Sequence, residues 1–420
     1  MRERESYDNM DNMTIHERAY KFRFYPDATQ EELLRRTVGC TRLVWNKSLE
    51  RIMNRAENEK VNLNANLTSM KKDEDYAFLR EVSSVPLQQS IRHLNAAFKN
   101  MRKTGAGYPR FKRKANGGSA TFMSNAFTYD NRKHTLKLAK MSEPLVIRWS
   151  RTLRRNAVVN SVTITLTPSG KWFISLLTVE DIPELPKTDK VIGIDLGVKD
   201  YAITSDGEKV ENPKWYRANE DKLAREQRKL SRRKPKGRNY EKQRVKIARL
   251  HEHTRNQRTD WLQKLTTRLI HDNQVICLET LTVRNMVKRV EPVMSDDGSF
   301  TRNGQAAHSG LAKSILDASW YEFNRMLLYK ASWYGREVIH VSRFYPSSQL
   351  CSHCGYQNHD LTLADRSWVC PRCRAHLDRD VNAAVNILTA GLAVSHTMPI
   401  AWYDAPEIIN LPHCTPAVRA

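Results

Sequence analysis

Hydrophobic positions change period several times along the chain. "RAYKFRFYP" (18–26) alternates basic and apolar residues and stops at Pro26, which predicts a strand with one face inside. The following "ATQEELLRRTVGCTRLVWNKSLERIMNRAENE" repeats apolar residues three and four apart and predicts a helix or helical pair. A second amphipathic helix is predicted over 85–103, with Leu87, Ile91, Leu94 and Phe98 on one face. From about 120 to 180 the period drops to two in "HTLKLA", "PLVIRW" and "SVTITLTPSGKWFISLLTV". The last reads as a hairpin turning at Pro168, Ser169 and Gly170. "EDIPELPKTDK" (180–190), with its prolines and charges, predicts a linker.

A second domain then opens with "KVIGIDLGVKDYAITSDGE", a β-hairpin that starts an α/β sheet. Residues 213–272 read as a long basic helical region interrupted near "RRKPKGRN", and "QVICLETLTV" as a buried strand with Glu279 near its end. The polar "KRVEPVMSDDGSFTRNGQAAHSG" predicts a mobile segment. Residues 311–335 predict one packed helix stopped by Gly335, and "REVIHVSRFYP" another strand. No internal repeat is visible, and after about 391 the tail carries no motif and is expected to be loosely ordered.

Length and charge narrow the function. A chain of 420 residues suits two or more domains, and 69 Lys+Arg against 46 Asp+Glu leave a net charge of +23. Such a surface most often serves a polyanion, here nucleic acid. The loop after the 85–103 helix interleaves Tyr108 and Phe111 with Arg110, Lys112 and Arg113, a mixture suited to base stacking and backbone contact. Between Lys222 and Arg249 stand 13 Lys+Arg, opposed only by Glu226 and Glu241. Arg228, Arg232, Arg233 and Lys234 are the candidate phosphate contacts there. No apolar run reaches about 18 residues and the N-terminus is charged, so no membrane partner is expected and the protein is placed in the cytoplasm. Met10 and Met13 leave room for a later start.

Four of the seven cysteines form two C-x2-C pairs, Cys351 with Cys354 and Cys370 with Cys373. Each spacing lets two thiolates converge on one ion, and together they close a tetrahedral Zn2+ shell with no open position. Cys40 and Cys277 lie in apolar surroundings and read as small buried residues. Asp195 ends a strand between Gly193 and Gly197, Glu279 ends another, and Asp380 opens a helix-like run. Each acid alone is common at such places, but three separate elements could bring them to one edge. Clustered carboxylates repel unless cations join them, and oxygen donors suit Mg2+ or Mn2+, with two ions able to hydrolyse a phosphodiester. "GIDLG" also opens actin-like kinases, but no later Gly-rich phosphate loop follows, nor a P-loop or G-x-S-x-G, so no small-molecule substrate is expected.

"GIDLGVKDYAITSDG", "RNQRTDWLQKLTTRLI", "VICLETLTVRNM", "WYGREVIHVSRFYPSSQLCSHCG" and "CPRCRAHLDRDVNAAVNIL" together resemble TnpB, the OrfB-type proteins of insertion sequences. "YKFRFYPDATQEELL", "VWN" and "LQQSIRHLNAAFKN...GYPRFKRK" match that family's N-terminal pattern. The resemblance implies an RNase H-like (RuvC) α/β nuclease domain with an inserted zinc ribbon, preceded by a β-barrel and helical recognition region. The implied boundaries are 1–185 for the barrel and helices, 186–345 with 375–392 for the nuclease, 346–374 for the ribbon and 393–420 for the tail. It implies an RNA-guided endonuclease akin to type V CRISPR effectors, of prokaryotic type and associated with the nucleoid. Its partners would be a guide RNA from the element's end and double-stranded target DNA cut beside a short motif. Asp195, Glu279 and Asp380 would hold the metal. Asp378 and Asp380 both suit the third acid, Asp380 before "VNAA" the better, and Arg379 would lie near phosphate. Arg374 departs from the pattern, standing where a glycine often follows the second Cys pair. Intact acids disfavour a non-cleaving guided regulator, and the lack of a Tyr nucleophile with paired His disfavours a strand-transferring transposase.

Overall fold

A computed structural model describes residues 13–397, apart from 56–58, 60, 297 and 363; the tail expected to be loosely ordered lies, from residue 398 on, outside the described residues. The chain divides into two compact units, residues 15–181 and a second beginning at Ile182.

The first unit begins with β1 (Met13–Phe24), which leads into α1 (Ala28–Met53), one helix of 26 residues. Asp27 starts α1 by accepting from Gln30 N at 2.8 Å while the Gln30 side chain returns to Asp27 N, a reciprocal cap. α2 (Leu63–Lys72) and α3 (Ser84–Thr104) pack on α1 around Leu49, Leu67, Leu87, Ile91 and Leu94. The strands are β2 (Gly118–Met123), β3 (Phe127–Asp130), β4 (Thr135–Leu138), β5 (Ile147–Arg148), β6 (Val158–Leu166) and β7 (Trp172–Pro183). Five form a sheet in the order β2-β6-β7-β1-β5, and β3 pairs with β4. The β6–β7 turn closes at Gly170, whose φ of +81° is the left-handed conformation glycine tolerates.

The predicted linker begins later than its prolines and charges suggested. "EDIP" completes β7, because Glu180 is buried with the Tyr20 hydroxyl 2.9 Å from its Oε1, and Ile182 is buried too.

The second unit is built on β8 (Val191–Leu196), β9 (Asp200–Thr204) and β10 (Lys209–Glu211), followed by α4 (Trp215–Ser231) and α5 (Arg238–Asp272). Then come β11 (Val275–Glu279), α6 (Val283–Met286), α7 (Gln305–Ala318), α8 (Trp320–Tyr334) and β12 (Glu337–Val341). β13 (Ser367–Val369), β14 (His376–Asp378) and α9 (Arg379–Thr397) complete it. The sheet order is β10-β9-β8-β11-β12, with β8, β11 and β12 parallel and β9 and β10 antiparallel.

Three details differ from the periodicity reading. The segment expected to be mobile ends in helix, since α7 starts at Gln305. The predicted helix 311–335 is two, because Ser319 takes a left-handed φ of +55° between α7 and α8. The strand read over 336–346 ends at Val341, where the chain turns.

Alternation sorts the sheet residues between two helical layers. Ile192 and Ile194 of β8 and Ile276 and Leu278 of β11 pack with Leu265 and Leu269 of α5 and Phe323 and Leu327 of α8. Cys277 of β11 and Ile339 and Val341 of β12 instead pack with Ile387 of α9. A Cβ at Gly193 would lie 2.1 Å from Ala384 O, so α9 crosses β8 where only glycine leaves room. Gly193→Ala is therefore expected to destabilise the second unit by about 1–3 kcal/mol in denaturant unfolding. Gly310→Ala, in α7 with nothing within 4 Å of the added Cβ, should be neutral or stabilising by up to about 1 kcal/mol.

Candidate active site

The parity that sends Gly193 and Cys277 toward α9 sends Asp195 and Glu279 the same way. In the parallel pairing Cys277 faces Gly193 and Leu278 faces Ile194, so Glu279 and Asp195 follow side by side where the strands end. Asp380 lies in the first turn of α9. All three acids are half-buried. Burial first, then the Asp380 charge, raises the Asp195 carboxyl to about 6, against relief from Arg379 and a backbone hydrogen bond at Leu196. Burial first, then the Asp195 charge, raises Glu279 to about 7. The Asp380 charge thus bears on Asp195, and the Asp195 charge on Glu279, so the three acids are linked electrostatically through Asp195.

Asp378 has a different task. Its Oδ1 accepts from Asp380 N and Val381 N, each at 3.1 Å, capping α9, and its Oδ2 lies 2.6 Å from Lys209 Nζ. Arg379 donates from Nη1 to the carbonyls of Thr362 and Asp365 at 3.1 and 3.3 Å. Arg366 Nη1 stands 3.6 Å from Asp380 Oδ2.

The four predicted cysteines come together. Their sulfurs all lie within 4.8 Å of one another, and among the described residues this is the one group of three or more His, Cys, Asp or Glu with ligand atoms so close. Cys351 is 3.6 Å from Cys373, and Cys354 is 3.6 Å from Cys370. Backbone hydrogen bonds from His353 and Cys354 reach Cys351, and others from Arg372 and Cys373 reach Cys370. Burial pushes the Cys351 thiol up to about 12; burial also opposes ionisation of Cys370, but the hydrogen bonds prevail and bring it down to about 6. Clustered soft donors already receiving N–H bonds fit a four-thiolate Zn2+. Arg374 replaces the customary glycine at a left-handed φ of +61°, and its N–H bonds Cys370 O at 2.9 Å.

Two residues that sequence reasoning passed over join this module to the acids. Asn382 and Asn386, one turn apart in "VNAAVN", are buried on α9. Asn382 Nδ2 donates to Leu350 O at 2.6 Å, and its Oδ1 accepts from Ser352 N at 2.9 Å. Asn386 Nδ2 donates to Ser347 O and Leu350 O at 2.8 and 2.7 Å. The segment entering the first Cys pair is thereby fastened to the helix that carries Asp380. Asparagines four apart in an apolar helix were the available signal.

The basic candidates fall in separate units. In the first, Tyr108 meets Phe98 edge to face at 5.4 Å, Trp45 Nε1 donates to Arg110 O, and Asn46 brackets the Lys112 backbone. Lys112 Nζ sits 3.8 Å from the Trp45 ring centroid; burial of this ammonium lowers its pKa to about 8, although the residue as a whole is exposed. Arg110 and Arg113 are exposed. In the second unit, Arg228, Arg232 and Lys234 are exposed and Arg233 is half-buried where α4 turns toward α5. Among the described residues no helix is long and apolar enough to cross a membrane.

Family models match residues 175–290 ("Probable transposase", of the OrfB type), 320–387 ("Cas12f1-like, TNB domain") and 13–60 ("Helix-turn-helix domain"). The described residues of 13–60 hold β1 and one helix, α1. A Streptomyces pristinaespiralis protein described as "Putative RNA-guided DNA endonuclease" is 45% identical over 384 residues, 90% of each chain. An Escherichia coli K12 protein described as "Putative RNA-guided DNA endonuclease InsQ" is 35% identical, over 90% of this chain and 92% of its own. Among solved structures, a mini-RNA-guided endonuclease, CRISPR-Cas phi3, is similar over 90% of this chain and 92% of its own, at 8% identity and a TM-score of 0.45.

Two measurements follow from this geometry. Cys373→Ser should lower bound zinc well below one ion per chain by elemental analysis and reduce the melting temperature. Asp195, raised from an ordinary value near 3.8 to about 6, favours the folded state below the lower value and loses that contribution as pH climbs through the higher. In Mg2+-free buffer the melting temperature of the wild type, relative to Asp195→Asn, should therefore fall between about pH 4 and pH 7.

Proposed function

Because the chain belongs to the TnpB family of OrfB-type insertion-sequence proteins, we propose that it is an RNA-guided DNA endonuclease of a mobile element. It cuts double-stranded target DNA beside a short adjacent motif, using a guide RNA as cofactor. The reading that fits is an RNase H-like (RuvC) nuclease domain carrying a zinc ribbon, with the barrel and helical region ahead of it, in a cytoplasmic protein associated with the nucleoid.

The observation that supports the proposal is that burial first, then the Asp380 charge on Asp195 and the Asp195 charge on Glu279, raises two carboxyls carried at the ends of β8 and β11, with Asp380 in the first turn of α9. Half-buried carboxylates that resist ionising together are relieved by a divalent ion with a preference for oxygen, so the donor set fits Mg2+ or Mn2+. Asp195, Glu279 and Asp380 would hold it, and when bound it supplies Lewis-acid polarisation of a phosphodiester and a hydroxide-like water at neutral pH. The chain's own work is positional. Asp195 and Glu279 come from rigid parallel strands, and Asp380 from a helix end fixed by the Asp378 cap. Arg379 is held by the Thr362 and Asp365 carbonyls close enough to influence Asp195, a place from which its charge can favour an incoming phosphate. The exposed Arg110, Arg113, Arg228, Arg232 and Lys234 offer sequence-independent contacts to RNA and DNA backbones.

The test purifies the protein with its co-bound RNA and measures Mg2+-dependent cutting of matching duplex DNA. Asp195→Ala and Asp380→Asn should each lower the rate by more than about 100-fold, beyond the loss typical of an outer partner of a metal ligand. Asp378→Asn preserves a competent helix cap and should leave most of the activity. Undiminished cutting by Asp195→Ala would refute the site, and protein free of RNA would refute guidance.

A further inference from the structure

Phe344 is 80% exposed, the most exposed large hydrophobic side chain among the described residues. It lies three residues beyond Val341, which pairs with Glu279 in the parallel β11–β12 register, so it emerges from the sheet edge that ends in the acids. The loop carrying it is rigidly built. Tyr345 packs on the Cys277, Ile339 and Ile387 cluster, its N–H bonds Ser342 O at 3.0 Å, and Phe344 N donates to Ser342 Oγ at 3.3 Å. Ser347, just beyond, is tied to Asn386 of α9. Arg343 lies over the Phe344 ring at 4.6 Å and donates to Thr282 Oγ1 at 3.2 Å, beside the continuation of β11. Hydrophobicity alone would bury such a ring; here the turn presents it to solvent with a cation behind one face.

We infer that Phe344, backed by Arg343, is a stacking platform for an unpaired base of the DNA strand being cut. The inference rests on the nuclease reading above and adds a residue that positions the substrate. An exposed ring accepts any base, which suits a guided enzyme whose sequence choice lies elsewhere, and Arg343 adds positive charge for the adjoining phosphate. β12 is two strands from β8, about 10 Å at the usual strand spacing, so a DNA strand at the carboxylates passes on the side of the sheet end from which Phe344 emerges. A strand anchored there can neither slide nor swing at the carboxylates.

The experiment uses the complete protein–RNA complex. DNA carrying 2-aminopurine at each position near the cut is bound to the Asp195→Asn complex, with and without Phe344→Ala. Stacking should quench the probe at one or two positions, and Phe344→Ala should relieve that quenching. In the otherwise native complex Phe344→Ala and Phe344→Leu should slow cutting at subsaturating DNA about tenfold, and Phe344→Trp should restore it. RNA content and melting temperature should not change, since the ring is exposed. Unchanged quenching and cutting in Phe344→Ala, with the wild type active, would overturn the stacking role alone and leave the ring to a protein partner. Leucine serving as well as tryptophan would also overturn it. A wild-type complex that cuts no DNA would remove the nuclease reading and this inference with it.

Discussion

Gly193 has no side chain because the carbonyl of Ala384 occupies the space one would need. That contact fixes how closely α9 approaches β8, and a second glycine fixes its approach to β11 two turns further along. A Cβ at Gly391 would lie 2.4 Å from Cys277 Sγ. Seated at Ala384 and Gly391 against adjacent parallel strands, α9 has little freedom to roll or slide, and its first turn must lie near the ends of β8 and β11. The raised carboxyls of Asp195 and Glu279 are the electrostatic result: burial between two strands and a helix disfavours their ionisation first, and the negative charge of a neighbouring acid adds to it.

The same helix secures the four-cysteine module with its polar side. Asn382 and Asn386 are buried among apolar neighbours, where unpaired amides would be costly, and each finds backbone partners in 347–352. Apolar packing alone would tolerate a shift of one helical turn; these directional bonds select one register. Zinc closing the four-cysteine cluster would then stiffen a segment already bonded to α9. Loss of the metal would reach Asp380 through two asparagines rather than through direct contact.

Features set by local rules were legible in the sequence. The C-x2-C pairs, the period-two hairpin around Gly170 and the Leu87, Ile91 and Leu94 face need only neighbouring residues to be read. The acids were legible as strand-end and helix-start residues, but their meeting depends on side-chain parity in β8 and β11 and on the register between them. The misreadings have the same origin. Glu180 looks like linker because the Tyr20 hydroxyl that donates to its carboxylate is 160 positions away in sequence. Ser319 breaks a strongly periodic run with a left-handed φ of +55°, a backbone choice that the apolar spacing on either side does not signal. Asn382 and Asn386 look like ordinary polar positions until their carbonyl partners are in place.

Charge distribution ties these pieces to a polyanion. Buried acids of the α4–α5 region serve internal needs: Glu226 accepts from Gln243, Lys229 and Lys246, and Asp317 accepts from the start of α4 and from Arg258. Those acids hold the helices together and leave the exposed Arg228, Arg232 and Lys234 to face solvent with like-charged neighbours. The carboxylate edge has the opposite imbalance, with negative charge that its surroundings resist. A phosphodiester strand would complement the first directly, and under the proposed nuclease reading a strand accompanied by divalent cations would complement the second. Under that reading one ligand relieves both imbalances, which a neutral small molecule or an apolar surface would leave in place.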